Sequence, residues 1–199
     1  MSNKWIWFDW LVAAFRYAKV NKYVKQGNVI ADIGCGRECT FLKSHANKIK
    51  RGYGFDFRIQ THEEENISLI NNKDLNGKLP LENDTIDTIF LNAVLEHLES
   101  PVDVISEATR ILKYEGKIIM TTPTRIAKPV LEFLSYKMHL INEDEIREHK
   151  HYFNKRDVIL LCKTVNNTLH EGVISIEKYS IFEFGFNSLI ILQKRQKKE

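Results

Sequence analysis

The feature that most constrains the fold of this 199-residue chain is an apolar run that ends in two closely spaced glycines. Residues Val29–Ile33 have the length and composition of a buried strand, and Gly34 and Gly36 follow directly. The next amphipathic stretch, residues 40–49, predicts a helix, and Asp56 ends the strand after it. The sequence therefore predicts a strand, a tight turn and a helix, with an acidic residue after the second strand, which is the unit that binds nucleosides.

The rest of the chain alternates predicted strands with predicted helices. Further strands are predicted at 51–55, 74–75, 85–92, 117–122, 173–182 and 188–193, and helices at 4–25, 102–112 and 155–166. Residues 59–70 are ambiguous between an exposed helix and a loop because they carry three consecutive glutamates. We expect an α/β, Rossmann-like fold: a mainly parallel seven-stranded sheet with helices on both faces and a C-terminal antiparallel hairpin.

Composition excludes several classes of protein. The chain is 43% hydrophobic and 28% charged with a net charge of +3, which is ordinary for a globular protein and gives no basic patch for nucleic acid. No apolar run is long enough to span a bilayer, and nothing resembles a signal peptide. The three cysteines lack metal-ligand spacing, so we expect free thiols, no bound metal and a cytoplasmic protein.

The glycine turn differs from a dinucleotide-binding loop. Cys39 stands three residues after Gly36, where such a loop has its third glycine, and Glu38 disfavours a pyrophosphate. These residues favour a nucleoside with a cationic or zwitterionic arm, whose amine Asp32 could bind. Asp56 is placed to accept hydrogen bonds from both ribose hydroxyls, although it could instead only cap the strand.

Six segments occur in a characteristic order along the chain. They are Asp32–Gly36, Asp56, Asp74–Leu75, residues 79–87, Ala93–Leu98 and Arg110–Gly116. Together they resemble the motifs of class I S-adenosylmethionine-dependent methyltransferases, and within that family the small-molecule enzymes of the quinone-biosynthesis type. The resemblance covers residues 28–122, with a weaker similarity at 149–158. It implies that S-adenosylmethionine is the cofactor and that its methyl group passes by in-line displacement to a small molecule, such as a lipid-quinone precursor or a glycan unit.

The resemblance also implies roles for individual residues. The cofactor-binding residues would be Asp32, Gly34, Cys35, Gly36, Asp56, Phe57, Asp74, Leu75, Asn92 and Ala93. Phe57 would pack on the adenine face, Asp74 and Leu75 would bind its edge, and Asn92 and Ala93 would face the methionine moiety through their backbone. Two residues depart from the family pattern: Glu38 stands where many members have a glycine, and Glu115 where a proline or glycine is usual.

The resemblance further divides the chain, as one domain over residues 1–199, into functional segments. These are an N-terminal helical cap (1–27), the cofactor-binding core (28–122), an acceptor-side insert (123–153), and the last helix with the closing hairpin (154–199). The insert carries basic residues that suit an acidic or sugar-phosphate acceptor, although a solvated face is the simpler account. These residues are Arg125, Lys128, Lys137 and Arg147.

The acceptor side offers several candidate residues. His97 is the candidate general base, because it follows the strand beside the expected cofactor, or it packs the strand–helix junction. His149, His151 and Tyr152 would lie near the acceptor pocket or at a surface helix start. The aromatic cluster of the cap could form a lid, pack on the sheet, or make peripheral membrane contact. That cluster consists of Trp5, Trp7, Phe8 and Trp10.

Two other functions are weighed against methyl transfer. One is a catalytically silent nucleoside-binding module of the same fold. The intact cofactor residues count against it, whereas the absence of an unmistakable catalytic base favours it. An NAD(P)-dependent oxidoreductase is disfavoured because the third glycine and a Tyr-x-x-x-Lys pair are both missing. Amino-group methylation of nucleic acid or protein is disfavoured because Asn92 and Ala93 replace the start of an Asn/Asp-Pro-Pro-Tyr loop.

Overall fold

The computed structural model describes residues 7–73, 77–130, 150–169 and 172–197, and residues 7–12 by their backbone only. The described helices are α1 (Trp7–Val20), α2 (Thr40–Lys43), α3 (Pro101–Ile111) and α4 (Lys155–Thr168). The strands are β1 (Val29–Ile33), β2 (Arg51–Asp56), β3 (His62–Glu64), β4 (Ile67–Asn71), β5 (Ile86–Asn92), β6 (Leu112–Pro123), β7 (Val173–Phe182) and β8 (Asn187–Arg195). Short 3₁₀ turns at Asn21–Tyr23 and Glu183–Gly185 complete the regular structure.

All of these strands form one mixed sheet in the order β3-β4-β2-β1-β5-β6-β8-β7. The five strands from β4 to β6 run parallel, while β3, β8 and β7 each pair antiparallel with a neighbour. The chain leaves β1 in one direction to β2, β4 and β3, and then returns to β5 on the other side of β1. In open α/β sheets ligands bind at such a reversal, so the carboxyl ends of β1 and β5 are the candidate site.

Helices cover both faces of the sheet, as the alternating pattern predicts. On one face, α1 and α2 bury Val20, Phe41 and Leu42 against the sheet. On the other, α3 and α4 bury Ile105 and Val165. The helices therefore leave the strand ends, rather than a sheet face, as the place for a site. No helix among the residues described is long and apolar enough to cross a membrane.

The expectation of seven strands is wrong, since the described residues form eight. Strands β3 and β4 pair antiparallel with each other, and both begin in the segment 59–70 that looked like an exposed helix or loop. All three residues of β3 are exposed, so no alternation of apolar residues marks them. Its glutamates instead bind basic side chains: Glu63 contacts Arg51 and Glu64 contacts Lys43, each at 2.8 Å. A charged edge strand of this kind protects the sheet from pairing with another chain.

The helix predicted after the glycine turn is shorter than expected. It ends at Lys43 instead of Ile49, and turns fill the interval. The Ser44 hydroxyl donates to the Phe41 carbonyl at 2.8 Å, and His45 Nδ1 lies 2.8 Å from the same oxygen. Side chains that bond backbone carbonyls in this way compete with continuation of the helix.

Other elements agree closely with the sequence. Asn154 caps α4, since its side chain accepts from the backbone of Asp157 and the Asp157 side chain accepts from the Asn154 backbone. The C-terminal hairpin is confirmed. Strand β6 begins five residues earlier than predicted, because Leu112 already pairs with Ile86; a register shift separates this pair from the continuous pairing that starts at Lys117. Glu115 lies there with φ +63°, which explains why a glycine would be usual at this position.

Candidate functional site

The loop after β1 is held close to β2 by its backbone. The amides of Gly34 and Cys35 both donate to the Phe55 carbonyl, at 2.7 and 3.2 Å. Gly34 has φ +75°, and a Cβ atom there would lie only 2.4 Å from Val94 Cγ2. Gly36 also has a positive φ, +73°, whereas Glu38 does not. The loop therefore requires glycine at its first two glycine positions and accepts Glu38 at the third.

Asp56 lies at the end of β2 and is 1% exposed. Its Oδ2 accepts from the Gly36 amide at 2.9 Å, and its Oδ1 accepts from the Arg58 amide at 2.8 Å and from Arg58 Nε at 3.0 Å. Burial acts to raise the pKa of this carboxyl, but the bonds from Arg58 and Gly36 outweigh it and lower the pKa below its usual value. Asp56 is therefore ionised, and Arg58 covers the side chain expected to bind ribose.

Asp32, in β1, is also buried, at 2% exposure, yet no donor in the described part of the chain reaches its Oδ1. Burial, followed by the nearby Cys39 and Asp56, raises the pKa of this carboxyl well above its usual value. A bound cation would reverse that shift. Asp32 is therefore suited to bind a positively charged ligand.

Asn92 and Ala93 end β5 next to this loop. Both amide atoms of the Asn92 side chain are buried without a hydrogen bond to any described residue. Ala93 has φ +55°, and its amide donates to the Thr121 carbonyl at 3.0 Å. The Ala93 amide is thus engaged with β6, which leaves the Asn92 side chain, rather than this backbone amide, to face a ligand.

Glu96 and His97 follow in the turn after β5. Glu96 is 1% exposed, and no described residue donates to its Oε2. Burial raises the pKa of this carboxyl to about 7, although Arg16 and Thr122 act in the opposite direction. His97 is half-buried, and its amide donates to the Val94 carbonyl at 2.9 Å. The sequence predicts His97 as the base and gives no signal for Glu96, because the burial of Glu96 depends on tertiary contacts.

The buried polar atoms without hydrogen bonds concentrate at this end of the sheet. Among the described residues they include Arg16 Nε, Asp32 Oδ1, Asn72 Nδ2, the Asn92 amide, Glu96 Oε2, Ser180 Oγ and Glu183 Oε1. All of these lie in, or just after, the carboxyl-terminal parts of strands, or in α1. Native proteins rarely leave such atoms unpaired, so this grouping indicates a ligand site.

Helix α1 contributes two of the residues that sequence reasoning missed. Tyr17 packs its ring 5.2 Å from that of Phe41, and burial followed by the charge of Asp32 raises the pKa of its hydroxyl to about 12. Arg16, beside it, acts electrostatically on both Glu96 and Glu183. Polar residues on the helical face that carries Ala13 and Val20 were the available signal.

The acceptor-side residues are only partly described. Lys150 and His151 are joined to the site because both amides donate to the Glu96 carbonyl, at 2.8 and 3.2 Å. His151 and Tyr152 line a cavity of about 660 Å³ together with Lys128. His149, Lys137, Arg147, Asp74, Leu75 and Trp5 lie outside the described residues, as do the side chains of Trp7, Phe8 and Trp10.

The sequence predicts no bound metal. No cluster of three or more histidine, cysteine or acidic side chains with the geometry of a metal site occurs among the residues that the structure describes.

Phe57 is 58% exposed, and the Arg58 guanidinium lies 5.2 Å from the centre of its ring. The surface beside Asp56 therefore has an exposed aromatic face next to the Arg58 guanidinium.

Comparison with known proteins identifies the architecture. Residues 31–120 match the model of a methyltransferase domain family. This match covers just under half of the chain, so the core is similar to a methyltransferase domain. The cofactor expected of it is S-adenosylmethionine, and the unpaired Asp32 and Asn92 groups and the glycine loop fit that molecule. No curated protein sequence matches the chain closely enough to count as a relative.

Solved structures of methyltransferases share this fold at low sequence identity. A chain from the complex of the Haloferax volcanii Trm112 methyltransferase activator with a methyltransferase has a TM-score of 0.68 and 13% identity, over 94% of this chain and 90% of that one. An Aquifex aeolicus SAM-dependent methyltransferase has a TM-score of 0.59 and 17% identity, over 88% of each chain. One from Methanosarcina mazei has a TM-score of 0.58 and 15% identity, over 90% and 98%. At this identity the likeness establishes the methyltransferase fold.

Proposed function

We propose that this chain transfers the methyl group of S-adenosylmethionine to a small-molecule acceptor. The observation that carries the proposal is the set of buried, unpaired polar atoms at the carboxyl end of the sheet, above all Asp32 Oδ1 and the Asn92 amide. S-Adenosylmethionine brings a sulfonium and an ammonium group, and buried carboxyls bind cations of this kind. A phosphate arm would instead bring a second anion to the buried Asp32 carboxyl and would not stabilise its ionised form.

The methionine part of the cofactor would lie over the loop from Gly34 to Gly36. Asp32 would bind its amino group and become ionised in doing so, because a cation stabilises the charged form of the carboxyl. Asn92 would bind the same moiety through its free side-chain amide, next to Ala93. Cys35 would contribute its backbone, since its side chain turns towards Cys39.

The nucleoside part would occupy the surface beside Asp56. Its ribose hydroxyls would take the place of the Arg58 guanidinium on the Asp56 carboxylate, and the side chain of Arg58 is 44% exposed and has room to move. Phe57 would pack on the adenine face. The expectation that Asp74 and Leu75 bind the adenine edge belongs to the same proposal.

The chemistry requires mainly alignment. The cofactor supplies an electrophilic methyl group, and the protein must hold the acceptor atom in line with it. His97 and Glu96 would be the two groups that take a proton from the acceptor. Glu96, with its pKa raised to about 7, would accept a proton near neutral pH.

The acceptor would enter from the side of the 660 Å³ cavity, which the residues from Lys150 to Phe153 line. The amides of two of these residues, Lys150 and His151, donate to the Glu96 carbonyl, so one short segment connects the cavity with the proposed base. We assign residues 1–27 as a cap and 123–153 as the acceptor-side insert. A lipid-quinone precursor and a glycan unit are the acceptors to test first.

The first test is titration calorimetry with S-adenosylmethionine and its demethylated product. Wild-type protein should bind both, and Asp56→Ala should weaken binding about 30-fold, because two hydrogen bonds to a charged group are lost. Asp87→Ala is the matched control, since Asp87 also binds a backbone amide and a basic side chain but at the opposite sheet end. That variant should keep wild-type affinity.

A second variant separates the ribose contact from loss of structure. In wild type the Arg58 guanidinium competes with the ribose for the Asp56 carboxylate. Arg58→Met removes this competition, so it should raise cofactor affinity about threefold. Equal affinity of wild type and Asp56→Ala would remove the ribose assignment. Binding of NAD but not of S-adenosylmethionine would refute the proposal. An acceptor screen with labelled methyl donor then identifies the substrate.

A further inference from the structure

Two cysteines of the glycine loop touch each other beneath the proposed cofactor seat. Cys35 Sγ and Cys39 Sγ are 3.3 Å apart, and both residues are free thiols. Cys35 is 7% exposed and Cys39 1%. Neither sulfur is used by the methyl-transfer chemistry, so the contact calls for a separate account.

The geometry is close to that of a disulfide. An S–S bond is about 2.05 Å long, so the two sulfurs need to approach by only about 1.2 Å. Cys39 has φ +50° and begins the four-residue helix α2. Arg37 and Glu38, between the two cysteines, are exposed. The segment that must move is therefore short and borders solvent.

We propose that Cys35 and Cys39 form a reversible dithiol–disulfide pair whose oxidation lowers the affinity of the loop for its cofactor. This rests on the proposed function, in which the loop from Gly34 to Gly36 binds S-adenosylmethionine. The oxidant class is a peroxide, which is close to water in size, and the residues next to Cys39 in the loop, Arg37 and Glu38, are exposed. A dithiol reductant returns the pair to its starting state.

The oxidation proceeds in two balanced steps. The Cys39 thiolate attacks one peroxide oxygen, the O–O bond breaks, and Cys39 becomes a sulfenic acid as hydroxide leaves and takes up a proton to form water. The Cys35 sulfur then attacks the Cys39 sulfur, the S–O bond breaks, and the thiol proton departs with the hydroxyl as a second water. Two thiols and hydrogen peroxide thus give one disulfide and two waters.

The surroundings assign these roles to the two sulfurs. The hydrogen bond with Cys35 lowers the pKa of the Cys39 thiol; burial opposes this, and the Lys43 ammonium assists it. The same hydrogen bond, together with burial, raises the pKa of Cys35. Cys39 is therefore the attacking thiolate and Cys35 the resolving thiol. The carboxylates of Asp56 and Glu38 face Cys39 and oppose its ionisation.

Disulfide formation would alter the loop at the positions that hold the ligand. Gly36 lies between the two cysteines, and its amide donates to Asp56 Oδ2 at 2.9 Å. The Cys35 amide is bonded to the Phe55 carbonyl. Drawing Cys39 towards Cys35 shifts Gly36 against these anchors. Because coupling between two sites is reciprocal, bound cofactor should also slow oxidation of the pair.

The test begins with the disulfide itself. Protein treated with stoichiometric hydrogen peroxide should lose the mass of two hydrogens, and peptide mapping without reductant should join Cys35 to Cys39. Cys162→Ser should behave like wild type, because Cys162 packs between α4 and the opposite sheet face. Cys35→Ser and Cys39→Ser should not lose that mass. Absence of the internal disulfide in wild type would overturn the proposal.

The second arm measures the cofactor. Calorimetry on reduced and oxidised wild type should show at least a tenfold lower affinity after oxidation, restored by dithiothreitol, and saturating S-adenosylmethionine should slow disulfide formation. A disulfide that forms without changing affinity overturns this inference alone. Reduced protein that fails to bind S-adenosylmethionine refutes the proposed function instead, since mass spectrometry reports the disulfide independently of the ligand.

Discussion

The two ends of the sheet handle their buried polar groups in opposite ways. At the amino end of the strands, charged groups are paired within the chain: Asp87 accepts from the Val29 amide and from Lys113, each at 2.8 Å. Lys194, in β8, donates to Asp84 Oδ1 at 2.6 Å and to the Leu112 carbonyl at 2.8 Å. These bonds are complete without any ligand.

At the carboxyl end the corresponding groups are buried but incomplete. Asp32, Asn92 and Glu96 each have a buried atom without a hydrogen bond to any described residue. Desolvation without a hydrogen bond costs free energy, so a fold keeps such atoms where a ligand completes them. The paired groups at the amino end therefore stabilise the fold, whereas the unpaired groups at the carboxyl end lower its stability and remain available to bind a ligand.

The most severe change to the binding end is Gly34→Ala. Its φ of +75° and a Cβ position 2.4 Å from Val94 Cγ2 should together cost about 3 kcal/mol of unfolding free energy. The displaced loop should also bind S-adenosylmethionine about 100-fold more weakly. Urea unfolding and titration calorimetry measure the two effects.

Gly27→Ala is the matched control for that variant. Gly27 has nearly the same φ, +74°, but no atom lies within 4 Å of its Cβ position. It should lose about 1 kcal/mol of stability and no affinity. If the two variants bind cofactor equally well, the glycine loop does not form the ligand site, and the contrast between the two ends fails.

A second test uses the pH dependence of stability. Glu96 has its pKa raised to about 7 by burial, against 4.5 when unfolded. Between these values the native state holds a proton that the unfolded state has lost, so wild-type stability falls as pH rises and then levels off above about pH 7. Glu96→Gln removes this loss. From about pH 5 to about pH 8 the variant should gain about 2 kcal/mol relative to wild type.

The experiment is urea unfolding at several pH values, with Glu99→Gln as the control. Glu99 is exposed and bonds Lys150 at the surface, so its variant should show little change with pH. Parallel pH profiles for wild type and Glu96→Gln would show that Glu96 is not held protonated by the fold. The base for methyl transfer to an identified acceptor would then have to be a different residue.

The sequence was sufficient to predict where the candidate site residues lie in the fold and insufficient to predict their contacts. The strand–glycine–helix pattern placed Gly34, Gly36 and Asp56 correctly because the turn needs positive φ and a fixed strand spacing. It did not predict that Arg58 covers Asp56, since this contact forms between side chains in a loop without periodicity. Burial of Glu96 was equally invisible, because it depends on how α1 and β6 pack around one turn.

The same distinction explains the errors in the fold. Apolar periodicity found the strands of the sheet interior except β4, which begins in the segment 59–70 that looked like a helix or loop. Strand β3 is an edge strand with no buried residue and left no such signal. The helix after the glycine turn looked longer than it is because residues 44–49 keep apolar positions at helical spacing. Local bonds from Ser44 and His45 to Phe41 end it instead.

The smallest expected effect tests the stability end. Lys194 has only 5% of its side chain exposed, so Lys194→Met leaves the Leu112 carbonyl buried without its donor and Asp84 without its partner. Asp84 can turn to water because 43% of its side chain is exposed, which limits the cost to about 1.5 kcal/mol. Lys113→Met should cost less than about 0.5 kcal/mol, since that ion pair is more exposed. Both variants should bind S-adenosylmethionine as wild type does; a loss of cofactor affinity in Lys194→Met would mean that the two ends of the sheet are not independent.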